Sequence, residues 1–429
     1  MTVDRQELRA RIDDERDRMV DFLRTLVRTP SVTGDEAAVQ EYVVEKFESL
    51  GLTPDVWEPD PDALRDHPAY FETTSSVEHG YEGRPNVAAV REGAGEGRSL
   101  GLSGHVDVVP VDADEWTYDP WGAEVADGRL YGRGSADMKG GIAAFVHAVE
   151  MLDDLGVDLA GDLVLQTTIE EEDGGVGGVL SALERGYQPD AAIISEPWEI
   201  PNVGIASAGA MYFRVTVGGR SSHAARGHEG VNAIEKALPI IEELVALDRE
   251  RKERIRYQPI LNRDPDADST NLNVGTFHSG EWPSTVPSEA VFECRIGWPP
   301  GETRPEIREQ ILDAIDAAVE DDPWLSAHPP ELEWFGWNAD PHEVSVDEEI
   351  TRLVTRHAES VTGREGSFVG GDAGLDERFY NRYYDIPAPT MGPSGANIHG
   401  ADEYVEIDSL VETAQALALT AVDWCGTVD

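Results

Sequence analysis

The sequence predicts an α/β protein, a main α/β/α sandwich domain interrupted by a smaller α+β module. Three observations predict it. Between residues 85 and 197, short apolar runs of strand character alternate with helical patterning. Between 206 and 338 the order becomes strand, helix, strand, strand, helix, strand. From 339 the helix "DEEITRLVTRHAESVTG" restores the first pattern. The expected domains are therefore 1–205 with 339–429, and an insert at 206–338.

The elements follow in order. Residues 5–28 place Leu8, Ile12, Met19, Phe22, Leu23 and Leu26 at helical spacing. "TPSVTGDE" stops that helix, with Thr33 and Asp35 as caps for the next, "EAAVQEYVVEKFESLG", which ends at Gly51. "PNVAAVRE" and "RSLGLSGHVDVVP" read as short buried strands, "GGIAAFVHAVEMLDDLG" as a helix, and "GDLVLQTTIEEE" and "PDAAIISEP" as two more strands. In the insert, "MYFRVTVGG", "STNLNVGTFHSG", "SEAVFECRIGW" and "PELEWFGW" are the strands. The helices are "GVNAIEKALPIIEELVALDRERKERI" and "RPEIREQILDAIDAAVED". No internal repeat is visible.

Charge narrows the function classes. The 84 Asp and Glu against 34 Lys and Arg give a net charge of −50, a field that repels nucleic acid and anionic membranes. The acid is spread along the chain, and 10 Trp, 12 Tyr and 10 Phe argue against disorder. A folded protein of a salt-rich cytoplasm fits, with counterions screening the repulsion. Cys294 and Cys425 are too few and too far apart for a disulfide framework. The charged N-terminal stretch does not read as a signal peptide, and no apolar run reaches the ~18 residues of a membrane span. A cytoplasmic location is the expectation.

Five stretches carry chemistry only when taken together. "SGHVDVVP" sets His105 and Asp107 two apart on a strand, hence on one face. That pairing suits a metal-binding imidazole oriented by an acid, although a satisfied core histidine explains it equally. "DGRLYGRGSADMKGG" surrounds Asp137 with glycines ahead of a helix. There a carboxylate either coordinates a cation or caps the helix. "TTIEEEDGG" puts Glu170, Glu171, Glu172 and Asp173 at a strand's carboxyl end, where open α/β sheets bind ligands. In so acidic a chain, solvated surface is the competing reading. "AAIISEP" ends a strand on Glu196, and "GPSGANIHGADEYV" holds His399 among small residues. Histidines and carboxylates mixed in this way suit zinc or a similar divalent ion, and a bridging carboxylate suits a pair.

The motifs "TPSVTGDEAAV", "SGHVDVVP", "GRLYGRGSADMKGG", "EEEDGG", "ISEP", "HAARGHEGVNAI" and "HGADEYV" occur in an order that covers nearly the whole chain. In them the sequence resembles the dizinc acetylornithine deacetylase and succinyl-diaminopimelate desuccinylase family, which includes aminoacylases and glutamate-type carboxypeptidases. The resemblance implies a catalytic α/β domain with an inserted lid or dimerisation domain, two zinc ions (cobalt or manganese as alternatives) and a homodimer. It implies that His105 and Glu196 bind one metal, that Asp137 bridges, and that Glu172 and His399 bind the other. Asp107 would orient His105, Glu171 would be the general base, and Glu170 would support them. The implied substrate is an N-acyl amino acid or short peptide with a free carboxylate, deacylated or cleaved at its amide.

In "GGRSSHAARGHEGVNAI", His223 matches the residue that reaches a partner's active site to stabilise the oxyanion, with His228 nearby as the other candidate. Two positions depart from the family. Ser284 in "STVP" replaces a usual Asn, and "RIG" replaces a usual Asp-x-Arg, leaving Arg295 two residues from the expected Arg. "GGDAGLDERF" loosely matches a glycine-rich motif in which Asp376 and Arg378 form the pair. Ser284, Arg295 and Arg378 are thus the expected substrate contacts, and substrate identity is what these departures leave open.

Overall fold

A computed structural model describes residues 4–428. Its contacts divide the chain into two compact units. One comprises the chain up to Ala206, then Glu343–Val369 and Leu375 onward; the other comprises Ser207–His342 with Gly370–Gly374.

The first unit is built on five strands: β1 (Asp55–Trp57), β2 (Asn86–Arg91), β3 (Leu100–His105), β4 (Leu163–Thr168) and β5 (Ala191–Ile194). Their order across the sheet is β1–β2–β4–β3–β5. The β1/β2 and β2/β4 pairs are antiparallel; β3 runs parallel to both β4 and β5. Every residue of β3, β4 and β5 is buried, as their near-continuous apolar runs require of strands covered on both faces. The helix Lys139–Asp154 buries fourteen of its sixteen residues against β3 and the helices Arg16–Arg28 and Ile407–Cys425. A smaller sheet aligns Gly395–Ala396, Tyr404–Glu406, Arg129–Tyr131 and Glu124–Ala126 in that order.

Three readings need correction here. The single helix expected over 5–28 is two, Arg5–Asp14 and Arg16–Arg28, broken at Glu15. The stripe begun by Leu8 and Ile12 would continue at 15 or 16, and both are charged, so the second helix re-aims its own stripe of Met19, Phe22, Leu23 and Leu26. Neither Thr33 nor Asp35 caps Ala37–Ser49. Glu36 is the capping position and makes no side-chain cap bond, while the Thr33 hydroxyl donates to Asp107 at 2.9 Å. The helix Ile407–Cys425 was not anticipated; it is buried over most of its length, so it shows no polar face to mark its period.

The main sheet of the second unit has four antiparallel strands: β6 (Gly209–Gly218), β7 (Asn271–Ser279), β8 (Glu289–Trp298) and β9 (Glu331–Ala339). They are ordered β7–β8–β6–β9. Alternate residues of β6 and β8 are buried. Phe213, Val215, Phe292, Ile296 and Trp298 meet Ile240, Leu244, Ile307 and Ile311 from the helices Ala233–Arg254 and Arg304–Glu320. This is the helix-covered, half-open sheet expected from the β-α-β-β-α-β order.

Candidate metal centre

The parallel register assembles the site. Because β3 and β4 run side by side with His105 opposite Thr168, the end of β3 lies level with the end of β4. β5 pairs Ile194 with Ser103, so its carboxyl end reaches the same edge. His105, the Glu170–Glu172 run and Glu196 therefore arrive from three adjacent strand ends, the place where open α/β sheets carry ligands. Asp137 comes from the loop ahead of Lys139–Asp154, and His399 from the loop between the short strands at Gly395 and Tyr404.

Asp137 lies between the two imidazoles. Its Oδ1 is 3.2 Å from His105 Nε2, and its Oδ2 is 3.4 Å from His399 Nε2. His105 Nε2 also stands 3.3 Å from Glu196 Oε1, and His399 Nε2 2.9 Å from Glu172 Oε2. Two overlapping donor groups result: His105, Glu171 and Glu196, and His105, Asp137 and Glu172, each with ligand atoms within 4.8 Å of one another. Asp137 caps no helix; the capping position is Met138, after a cis Asp137–Met138 peptide.

Glycines make the approach possible. A Cβ at Gly141 would stand 2.0 Å from the Ser195 carbonyl oxygen, beside Glu196. One at Gly175, where φ is +61°, would collide with Asp376 Oδ1 at 1.9 Å. Asp107 does not hold His105 quite as expected. The ring Nδ1 is 2.9 Å from the Asp107 carbonyl oxygen and 3.5 Å from its carboxylate. That carboxylate instead accepts the N–H groups of Glu171 and Glu172, at 3.1 and 3.3 Å. It fixes the tautomer through its main chain and the acidic pair through its side chain.

The electrostatics call for cations. Burial pushes the Glu171 carboxyl well above the usual range, and Asp376, Glu196 and Glu172 add to it while His105 opposes. Burial and Asp137 raise Glu196 well above its ordinary value and Glu172 to about 7. Burial opposes the charge on His105, but Glu196, Asp107 and Asp137 outweigh it and hold the imidazole well above its usual pKa. Asp137 and Glu172 likewise raise His399 to about 10. Buried anions of this density are costly unless paired with positive charge. Glu171 Oε1 is buried with no hydrogen-bond partner. Carboxylates and imidazoles packed so closely, with a donor atom to spare, fit a pair of divalent ions.

Glu170 lies fully buried, accepting from Thr73, from Tyr81 at 2.8 Å and from the Gly177 N–H at 2.7 Å; burial raises it to about 7 despite them. Solvated surface, the competing reading for the acidic run, does not hold for Asp173: one of its oxygens accepts the Ser75 N–H at 2.5 Å, and burial raises its carboxyl. Arg378 is 1% exposed and donates to the carbonyls of Leu375, at 2.8 Å, and Gly174. It braces the loop behind the acidic pair rather than presenting an open guanidinium. Asp376 beside it is pushed to about 7 by burial.

The remaining expected residues belong to the second unit. His223 ends a two-residue strand paired with Thr285, is exposed, and accepts the Ala225 N–H on Nδ1 at 3.1 Å. Ser284 is exposed, and its carbonyl accepts the Ala224 N–H at 2.9 Å. Arg295, on β8, donates to the Asn271 side chain and to the Asp372 carbonyl at 3.4 Å. His228 is exposed, 3.9 Å from Glu229. One residue of the first unit escaped the sequence reading. Glu403 is fully buried and accepts from Arg133, Gly134, Ala136 and Asp137. Its signal was its place in "HGADEYV", four residues after His399.

The model of the family described as peptidase family M20/M25/M40 matches residues 101–423. N-formyl-4-amino-5-aminomethyl-2-methylpyrimidine deformylase of Halalkalibacterium halodurans is 29% identical over 446 aligned residues, covering 98% of this chain and 97% of that protein. The dipeptidase Dug1p of Saccharomyces cerevisiae superposes with a TM-score of 0.76 at 13% identity, covering 100% of each chain. A dinuclear metal-binding peptidase of the same family from Bacillus subtilis gives 0.66 at 16%, covering 96% of this chain and 99% of that one. Among the described residues, no helix is long and apolar enough to cross a membrane.

Proposed function

From the premise that the chain belongs to peptidase family M20/M25/M40, we propose that it removes a small acyl group from the nitrogen of a linear amide, with Glu171 as general base. The observation that carries the reading is Asp137 lying between His105 and His399, each imidazole beside a second carboxylate. His105, Glu196 and Asp137 would hold one divalent ion, and Asp137, Glu172 and His399 the other. Zinc is our assignment, with cobalt or manganese as alternatives. The ions supply the positive charge that makes a water nucleophilic near neutral pH and polarises an amide carbonyl.

The protein's own groups do the rest. Glu171 takes a proton from the attacking water and passes it to the leaving amine nitrogen as the C–N bond breaks. Asp107 holds the Glu171 and Glu172 backbone in register with His105. Strand ends and buried contacts fix the acids before substrate arrives, so little reorganisation remains for the reaction. We assign His223, supplied by a second copy of the chain, to the oxyanion, as the motif around it suggests.

For the substrate we place a formamide or acetamide of an amine first. The near full-length deformylase likeness supports a small acyl group. The donors of Arg378 and Arg295 are directed at the chain's own carbonyls and Asn271, and Ser284 stands where the family has Asn. All three weaken the case for a carboxylate clamp. N-acyl amino acids and dipeptides are the second reading. A panel of the N-formyl aminomethylpyrimidine, acetylornithine, succinyl-diaminopimelate and simple dipeptides, with added divalent metal, separates them. With the best substrate, Glu171→Gln is expected to lower kcat by about 10²–10⁴ while both metals stay bound. Near-normal turnover by that variant would remove Glu171 from its role.

A further inference from the structure

We propose that Glu403 is a positioning residue of the metal centre, holding the backbone of residues 134–137 so that Asp137 meets both imidazoles at once. The inference rests on the two-metal reading above.

The strand register delivers it. Tyr404 pairs with Tyr131, and Glu406 with Arg129, in the small sheet. One step before Tyr404, the Glu403 carbonyl accepts the Gly132 N–H at 2.9 Å. Its side chain then enters the glycine-rich loop that begins there. Oε2 accepts the Gly134 N–H at 2.9 Å and Arg133 Nη1 at 2.7 Å. Oε1 accepts the Ala136 N–H at 3.0 Å and the Asp137 N–H at 3.1 Å.

Both oxygens of one buried carboxylate are thus committed to one loop, and the last donor is the Asp137 amide itself. Loops without regular pairing are ordinarily mobile, and a loop rich in glycine gains the most from such anchoring. The same segment supplies His399, whose Nε2 faces the Asp137 carboxylate. A four-residue step therefore grips Asp137 twice, by side chain from His399 and by backbone from Glu403. Gly395 permits the close fit, since a Cβ there would lie 2.7 Å from Ala136 Cβ.

A carboxylate is needed because every partner is a donor. The amide of Glu403→Gln would turn an NH₂ group toward one pair of donors and leave that pair unsatisfied. The measurement is Mn²⁺ and Zn²⁺ affinity by competition with a chromophoric chelator, alongside kcat, KM and Tm. Glu403→Gln is expected to raise the metal dissociation constant about 10–100-fold. KM should hold and kcat should recover once metal saturates. Arg133→Gln, which keeps the three N–H bonds, should stay within about threefold of the parent. Should Glu403→Gln fail to fold, Glu403→Asp keeps the charge, withdraws the oxygens by one methylene, and should weaken metal binding in the same way. A lowered Tm with unchanged metal affinity in the folded variant would reduce Glu403 to a structural role and overturn the proposal. A parent protein that binds no divalent ion would refute the two-metal reading instead.

Discussion

Replacing Gly141 with Ala sets two effects of opposite sign against each other. Gly141 sits in the first turn of Lys139–Asp154, where helix propensity favours Ala by up to about 1 kcal/mol. Against this, the new Cβ would stand 2.0 Å from the Ser195 carbonyl oxygen and 2.7 Å from Ser195 Cβ, where ordinary contact begins at 3.4 Å. The obstacle is mainly backbone, tied by the Ser195 N–H to the Ser103 carbonyl at 3.3 Å, so it cannot swing aside as a side-chain tip would. Overpacking of this kind costs about 1–3 kcal/mol, so after a full propensity gain of about 1 kcal/mol the net effect is a loss of about 0–2 kcal/mol. The retreating segment carries Glu196 with it, and a displacement of about 1 Å in a reacting group is worth about 10² in rate. Thermal unfolding of the chelated protein reads the first effect; metal affinity and kcat/KM read the second. A higher Tm together with unchanged metal affinity would show that propensity wins and that Gly141 is not a packing requirement.

Glu150 should matter to acid stability. Burial raises its pKa, but His147, Lys46 and Arg18 outweigh that and hold it at about 2, below its unfolded value of about 4.3. Its contribution is therefore present above the unfolded pKa and lost as pH falls toward 2. The full shift converts to about 3 kcal/mol; with solvent screening at the part-exposed Arg18 partner, Glu150→Gln should cost about 2 kcal/mol at pH 7 in chemical denaturation, a gap that narrows below pH 5; a gap independent of pH would refute the assignment. Removing metal with a chelator should abolish turnover and lower Tm, with both restored by Zn²⁺, Co²⁺ or Mn²⁺; each hundredfold excess over the dissociation constant is worth about 2.7 kcal/mol. With a net charge of −50, the denaturation midpoint should rise steeply between about 0.1 and 1 M KCl as screening shortens from about 10 to 3 Å; a flat profile would refute the reading of a salt-rich setting.

The strands that carry the site were legible because buried parallel strands read as near-continuous apolar runs. Their ends were legible because His105, Glu171 and Glu196 interrupt those runs with charge. Asp137 was legible only as an alternative, since an acid ahead of a helix caps it more often than it binds metal. What composition hid was the depth of the acids: Glu170 and Asp173 look like decoration in so acidic a chain, yet Thr73, Ser75 and Tyr81 enclose them. The role of Glu403 was not legible, although "HGADEYV" contains it, because that role depends on strand register, which no local pattern states. The charged Glu15 and Arg16 break a helix that periodicity alone would continue. Arg378 could be matched to a motif, but only packing shows that it faces Gly174 and Leu375.

The side chains that converge on Asp137 are drawn from positions as far apart as His105 and His399. Such a site cannot be nucleated by neighbours along the chain; loops of very different length must close first, and the entropy of closing them must be met by the rest of the fold. During synthesis, a chain that has emerged only through its second unit holds His105, Asp137, Glu171, Glu172 and Glu196 but neither His399 nor Glu403. On the two-metal reading, hydrolytic competence waits for the segment that carries His399 and Glu403, and a chain that stops short of that segment is an incomplete enzyme rather than an unregulated one.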